Sequence, residues 1–462
     1  MAQRKSIQTV LSVVLLALMV SACGGNNDKG ADRGSASPKA STPSSPSETA
    51  SESPQKDPVT LTLWVTSREQ DDFEAQLEQE FLDGHPYITL NKVIKEGDPG
   101  NEFYQAVAVG NAPDFVIPSW AMMDKYMKAG ILEPLNKYVE DWDEWSHFDK
   151  KYVEFSSLNG NVYGVTQAIS PMLFAYNKSL FANANVTELP KTWDEALEVA
   201  KQINDSSAQI AGYATLAAEW TEWFFQYYVW QAGGDLTKQN DDGTIELTFT
   251  DPAVIKAAEY YKQLRANRVM QSDLTLKFND LVERFAQGKI GMMPFAGDWV
   301  SWAISLGMKP EDIGLMLPPA GPSGSSATAV AGGSFVINAK SSQANKDAAW
   351  EYIKFMSSKS TMEKVLKNGA SKGSVNPMVQ LRDDVDINDY AELPEEYAQV
   401  LKGIAEVGRL EFYGKADFGI YVDRAVQKLL TDPNADPTKE FEAARKLASS
   451  ELLDSFNEKS KN

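Results

Sequence analysis

The chain has 462 residues, enough for two or three domains at about 100–200 residues each, and its 43% hydrophobic and 23% charged content excludes a polytopic membrane protein. With 44 Lys and Arg against 64 Asp and Glu, the net charge of −20 argues against nonspecific nucleic-acid binding, which needs a basic surface. The single cysteine forbids an intrachain disulfide and any multi-cysteine metal site, and two histidines leave little for His-dependent catalysis.

In chain order, Arg4 and Lys5 precede a run from Val10 to Val20 that is almost wholly apolar, too short for a span of about 20 residues and laid out as a secretory signal. It ends in Val20-Ser21-Ala22-Cys23, which resembles the lipobox of bacterial lipoproteins. That resemblance implies that residues 1–22 are a cleaved signal peptide and that Cys23 carries a diacylglyceryl thioether and becomes the new N-terminus, anchoring the protein by fatty chains to the extracytoplasmic face of the bacterial cell membrane. Residues 24–57 contain no Val, Ile, Leu, Met, Phe, Trp or Tyr. Such a stretch cannot bury enough apolar surface to offset its ordering entropy, so residues 23–57 read as a lipidated cysteine followed by a disordered tether that reaches about 30 Å.

At Val59 the pattern becomes globular. Val59–Val65 alternates and is rich in β-branched residues, as a strand should be. Phe73, Leu77 and Phe81 then recur at helical spacing until Gly84-His85-Pro86 ends the helix. A strand from Tyr87 to Ile94, a helix from Glu102 to Val109 and a strand from Asp114 to Ile117 complete a βαβαβ rhythm, which predicts a parallel sheet wrapped by helices. Further on, Thr192-Trp-Asp-Glu195 forms a capping box, Asp251-Pro252 opens a helix, and Asn240–Gly243 turns a hairpin whose returning strand is Thr244–Phe249.

An ordered series of short motifs then spans the chain after the tether. Leu61–Trp64, Phe81–Pro86, Gly110–Phe115, Gly160–Gly164, Phe174–Lys178, Leu189–Glu195, Phe285–Met293, Gly332–Asn338 and Ala349–Lys354 together resemble the family 1 extracellular solute-binding proteins of ABC importers, the group of maltose-binding protein. The resemblance implies an α/β, two-lobed, periplasmic-binding-protein-like fold of type II, with the ligand in a cleft between lobes joined by a hinge. One lobe is expected to hold residues 59–168 and 334–384, the other 169–333 and 385–462. It implies a carbohydrate ligand, ABC permease subunits as partners, no cofactor, no metal, no catalytic residue and a monomer.

A sugar site needs flat apolar rings for the C–H faces of the pyranose and planar polar groups for its hydroxyls. Trp64 and Trp120 lie at or after strand ends, where open α/β sheets place ligands, and Arg68 and Glu69 follow the first strand. For Trp64 a core position stands equal to binding, for Trp120 binding stands slightly ahead of core, and for Arg68 and Glu69 a solvated loop stands equal to hydroxyl binding. By the resemblance, Asp114 matches a position near the cleft, with capping of its loop as the alternative, and Gln167 and Ser170 flank the first crossover. The aromatic-rich stretch that follows has Phe224, Tyr227, Tyr228 and Trp230 reading as core, while Glu219, Trp220 and Trp223 at its start are, by the resemblance, ligand candidates. Asp298 and Trp299 follow Gly297, where the family places an aromatic that stacks on sugar, with burial as the alternative for Trp299. Gly332 and Gly333 let backbone approach the ligand or simply permit a hinge, and Tyr413 completes the set.

Other chemistries are poorly supported. There is no Gly-x-Ser-x-Gly elbow, Walker A sequence or His-Glu-x-x-His. The stretch Asp384 to Glu395 has the length of a calcium loop, but Asp389 replaces the required glycine and Pro394 intrudes. Two alternatives remain open: a tethered glycoside hydrolase using Glu219 and Glu222 as paired carboxylates, and a receptor for a non-sugar solute such as an oligopeptide or polyamine.

Overall fold

The computed structural model describes residues 56–65, 72–95, 99–240, 242–372 and 380–460. The signal segment, Cys23, the tether up to residue 55, Arg68 and Glu69 lie outside them. Among the described residues, no helix is long and apolar enough to cross a membrane.

The first three strands form as the βαβαβ rhythm predicts. Val59–Val65 pairs in parallel with Ile88–Ile94 on one side and with Phe115–Val116 on the other, with Leu61 opposite Leu90 and Leu63 opposite Phe115. The helices Asp72–Gly84 and Pro99–Val109 link them. Two longer strands then carry the sheet into the second half of the molecule. Thr328–Ile337 pairs antiparallel with Phe115–Val116 and also with Val165–Asn177. Val165–Asn177 in turn pairs antiparallel with Ile290–Ala296 and Ile313–Met316, and Ile290–Ala296 pairs in parallel with Ala211–Tyr213. At about 3.3 Å per residue the 13 residues of Val165–Asn177 run about 43 Å, so one strand serves the sheets of both lobes. Along the pair the register slips between Gly333 and Ser334: Gly333 faces Ala168 while Ser334 faces Thr166. Gln167 is the extra residue of this bulge, and its side chain is exposed.

Packing follows this plan. One core, including Leu61, Phe81, Phe115, Ile337 and Tyr352, belongs to the first lobe. A second, including Phe174, Trp193, Tyr228, Tyr261 and Phe418, belongs to the other. The largest runs through the crossing strands and holds Met123, Ile169, Met172, Phe224 and Val336 together. The predicted core aromatics Phe224, Tyr227, Tyr228 and Trp230 are all buried.

Local chemistry departs from expectation in three places. Thr192 Oγ1 accepts from Glu195 N at 3.3 Å, but Glu195 reaches back to Lys191 N at 2.6 Å, one residue earlier than in a standard capping box. Asp251 caps its helix without a side-chain bond, leaving Pro252 at the first helical position to set the backbone. The strand expected from Asp114 to Ile117 narrows to Phe115–Val116, because Asp114 acts as a clamp. Its Oδ2 accepts from Thr62 N at 2.8 Å and Asn345 Nδ2 at 3.0 Å, and its Oδ1 accepts from Ser341 Oγ at 2.7 Å. The carboxylate therefore ties the first strand to the helix Gln343–Met356 through Oδ2 and holds Ser341, just before the helix cap, through Oδ1.

Two expected ligand aromatics lie in the core instead. Trp64 is buried, with Lys95 Nζ 4.0 Å from its ring centroid. Trp299 is 2% exposed and packs edge-on against Phe278 at 4.5 Å and Phe295 at 5.2 Å. The reason is that Ile290–Ala296 is buried along its whole length, and the turn at Gly297 and Asp298 sends Trp299 into the first turn of a helix packed on it. Trp299→Ala is expected to lower unfolding stability by about 3–5 kcal/mol, the usual loss for a buried Trp. Urea unfolding with a wild-type midpoint would contradict this placement.

Candidate functional site

Between the lobes lies a cleft of about 690 Å³, lined by three groups of residues distant in sequence. The first lobe contributes the start of the helix Trp120–Lys128 together with Glu154, Phe155 and Ser157. The other contributes Trp220, Glu222 and Trp223 and the segment from Leu410 to Asp423. Val330, Ala331 and Gly332 of the crossing strand form its floor.

The floor is shaped by a ring on bare backbone. Trp120 lies parallel to Tyr152 at 6.1 Å and meets Phe155 edge-on at 4.8 Å, while its Nε1 donates to Ser334 Oγ at 3.1 Å. A Cβ on Gly332 would fall 2.6 Å from Trp120 Cη2, so only glycine lets this indole lie against the strand. Trp120 is thus mostly buried, with an edge in the cleft.

The opposite wall begins at Trp220, which is 43% exposed and held at φ 47°, a left-handed conformation rare for a bulky residue. Asp423 fixes this bend: Thr221 N donates to its Oδ1 at 2.8 Å and Thr221 Oγ1 at 2.7 Å. Backbone strain of this kind concentrates at binding sites, and here it turns an indole outward. Trp223 is half-buried, stacked on Phe224 at 5.1 Å, with Lys415 Nζ 5.7 Å from its ring centroid.

The cleft is acidic. Asp124, Glu154, Glu222, Glu411 and Asp423 line it against the one cation Lys415. Lys415 Nζ bonds Glu411 and lies 3.9 Å from Glu222 Oε1. Burial pushes the Glu222 carboxyl up to about 7; Lys415 opposes this and the neighbouring Asp423 and Glu411 add to it. The two lobes also touch across the rim. Lys125 Nζ pairs with Asp417 Oδ1 at 2.9 Å, and the Tyr413 hydroxyl accepts from Lys128 Nζ at 2.6 Å and donates to Asp124 Oδ2 at 3.1 Å.

Of the expected ligand residues, Trp120, Trp220, Trp223 and Tyr413 come together as lining of this cleft. Others sit beside it. Ser170 Oγ and Asp298 bond each other at 2.6 Å, Glu219 Oε1 accepts from Phe278 N at 3.2 Å, and Gly333 packs against Ile117 and Pro118 in a bridge to Ser119. Gln167 stays at the bulge, Asp114 is a half-buried clamp on the first strand, Trp64 and Trp299 are buried in the core that runs through the crossing strands, and Arg68 lies outside the described residues. The sequence reading missed Asp124, Phe155, Glu411, Lys415 and Asp423. No local pattern marks them, since Asp423 earns its place through a partner 202 residues away.

Elsewhere, ligand atoms of His147, Asp383 and Asp384 lie within 4.8 Å of one another. Arg382 donates to both oxygens of Asp384 at 2.9 Å, so a cation already occupies the position a metal ion would take beside that carboxylate.

Comparison with known proteins fits this geometry. A binding protein of Brucella abortus is 27% identical over 67% of this chain and 74% of its own length. The diacetylchitobiose-binding protein DasA of Streptomyces coelicolor is 26% identical over 76% of this chain and 77% of its own. An ABC transporter solute-binding protein from Thermotoga lettingae, solved with α-D-tagatose bound, has the same fold, with a TM-score of 0.73 at 20% identity over 87% of this chain and 99% of that one. The family profile for bacterial extracellular solute-binding proteins matches residues 66–363, which run from the end of the first strand through both crossing strands, and the chain belongs to that family.

Proposed function

We propose that this protein is the substrate-binding lipoprotein of an ABC importer, which captures a mono- or oligosaccharide by hinge closure and delivers it to a membrane permease. The observation that carries the reading is the cleft itself, with indoles exposed or half-exposed on one wall, a third at the floor, and carboxylates from both lobes between them. Rings of this kind stack on pyranose C–H faces, and carboxylates accept from hydroxyls, a combination that binds sugars without needing a net charge on the ligand. Relatives point the same way, since one is named for diacetylchitobiose and a structural neighbour holds tagatose.

In this reading the lobes divide as residues 59–168 with 334–384 and 169–333 with 385–462, and they hinge at the bulge near Gly333. Ligand contacts from both walls favour the closed form, and that differential affinity drives closure. Cys23 carries the lipid anchor, the tether holds the monomeric head beside the permease, and no reaction is catalysed. A hydrolase reading is weaker, because Glu219 is turned to the Phe278 backbone while Glu222 faces the cleft. The excess of five carboxylates over one lysine favours one second reading, a cationic solute such as a polyamine or amino sugar.

Titrating the purified protein with neutral mono- and oligosaccharides, glucosamine and spermidine, followed by tryptophan fluorescence, separates these readings. A neutral sugar is expected to give a saturable change; silence from every neutral sugar with a response to spermidine would replace the first reading by the second. Trp220→Ala is expected to weaken sugar binding at least about tenfold, roughly 1.4 kcal/mol, with little change in the unfolding midpoint.

Glu222 supplies a pH prediction. Its carboxyl titrates near 7 in the folded protein and near 4.5 unfolded, so the folded state loses stability as pH rises from 4.5 through 7. Glu222→Gln is expected to raise the thermal midpoint relative to wild type at pH 8, with the gain vanishing at pH 4. A gain that is equal at both pH values would show that ionisation is not its source.

A further inference from the structure

We propose a second binding site, for a compact oxyanion such as a phosphate group, in a cavity of about 790 Å³ remote from the cleft. The cavity opens where the parallel strands Ala211–Tyr213 and Ile290–Ala296 begin, with Ala211 and Ile290 side by side in its wall. Ile290–Ala296 leads away from this wall for seven residues, about 23 Å, and none of the residues lining the interlobe cleft borders the cavity.

Its charge is the reverse of the protein's. Lys262, Arg265, Arg268, Arg284 and Lys289 line it, against the single acid Asp273. The whole chain has 44 basic residues against 64 acidic ones, so a wall with five cations to one carboxylate is not a sample of its average surface. Asp273 is engaged chiefly by Thr275, its Oδ1 accepting from Thr275 N at 2.9 Å and Thr275 Oγ1 at 2.6 Å, and it also attracts Arg284, so one carboxylate partly offsets one of the five cations.

The two lysines are anchored by neutral backbone. Lys289 Nζ donates to Ala208 O at 2.9 Å, and Lys262 Nζ donates to the carbonyls of Pro433 and Ala435. These bonds place the ammonium groups without neutralising them; Lys262 also attracts Asp432, a carboxylate held low chiefly by its hydrogen bond from Lys428. The guanidinium groups of Arg265, Arg268 and Arg284 make no hydrogen bond or ion pair among the described residues. Arg265, Arg284, Lys262 and Lys289 are half-buried, and Met270, Ile290 and Leu429 are buried beside them.

A concave wall with an apolar floor lowers the local dielectric and strengthens attraction for an anion, and the planar guanidinium fork suits a tetrahedral oxyanion in two-point contact. Free phosphate, a phosphate ester and a phospholipid headgroup present the same chemistry. The site is independent of the sugar reading, because it shares no residue with the cleft.

The test is calorimetric titration of the full-length protein with inorganic phosphate, with sodium chloride of matched ionic strength as the control. Alongside it, the protein is cosedimented with phosphatidylcholine vesicles with and without phosphatidylglycerol. Saturable phosphate binding, weakened at least about tenfold in the Arg265→Ala/Arg284→Ala double variant, is expected and assigns a soluble phosphate. Binding to phosphatidylglycerol vesicles alone, lost in the same variant, also supports the site and assigns a headgroup. The exposed Arg268→Ala gives an independent, milder variant should the double variant misfold, with a weakening of about threefold expected. Binding absent from both arms, no different from chloride, or undiminished in the variants would overturn the proposal.

Discussion

Everything in this molecule depends on the antiparallel pairing of two strands, Val165–Asn177 and Thr328–Ile337, that belong to both lobes at once. Their outer ends are locked: one into the parallel sheet of the first lobe through Val116 and Val336, the other into the second through Leu173 and Phe295. The middle is where the ladder slips, with Gln167 extruded and two glycines in succession on the facing strand. A bulge bends and twists a strand locally, and glycines there permit close packing of Trp120 on one side and Pro118 on the other. The same few residues therefore shape the floor of the cleft.

The contacts that cross the rim are of a different kind from those in the cores. Lys125 with Asp417, and Tyr413 with Asp124 and Lys128, are partly exposed polar links, each worth little in water. The cores on either side are apolar and rich in aromatic rings. Cores joined by weak polar contacts and a bulged strand pair suit the ligand-driven closure proposed above, since modest contact energy from a bound solute then shifts the balance. Charge is separated along the second lobe as well. Carboxylates gather at the cleft and cations at the far cavity, so the net charge of −20 is an average over faces of opposite character.

Where the sequence reading succeeded, the signal was local. The strand Val59–Val65, the helix ended by Gly84, the hairpin at Asn240–Gly243 and the aromatic core of Phe224, Tyr227, Tyr228 and Trp230 all rest on periodicity or turn chemistry within about a dozen residues. It failed where one residue type serves two purposes. An indole after a strand end reads the same whether it faces ligand or core, and Trp64 and Trp299 face the core while Trp220 and Trp223 line the cleft. Asp114 was legible as a polar residue at a strand end, but its three partners Thr62, Ser341 and Asn345 come from segments up to 231 residues apart.

By itself, the sequence determined the order of elements, the parallel start of the sheet, the acidic balance and the run of motifs that marks the family, because each is written in neighbouring residues or in their sum. Only the tertiary structure decided which tryptophans reach the cleft, which carboxylates surround Lys415 and that five cations converge on the opposite end of the lobe. Those outcomes depend on where the long crossing strands carry the chain. Direction in space, unlike periodicity, is fixed by packing between segments hundreds of residues apart.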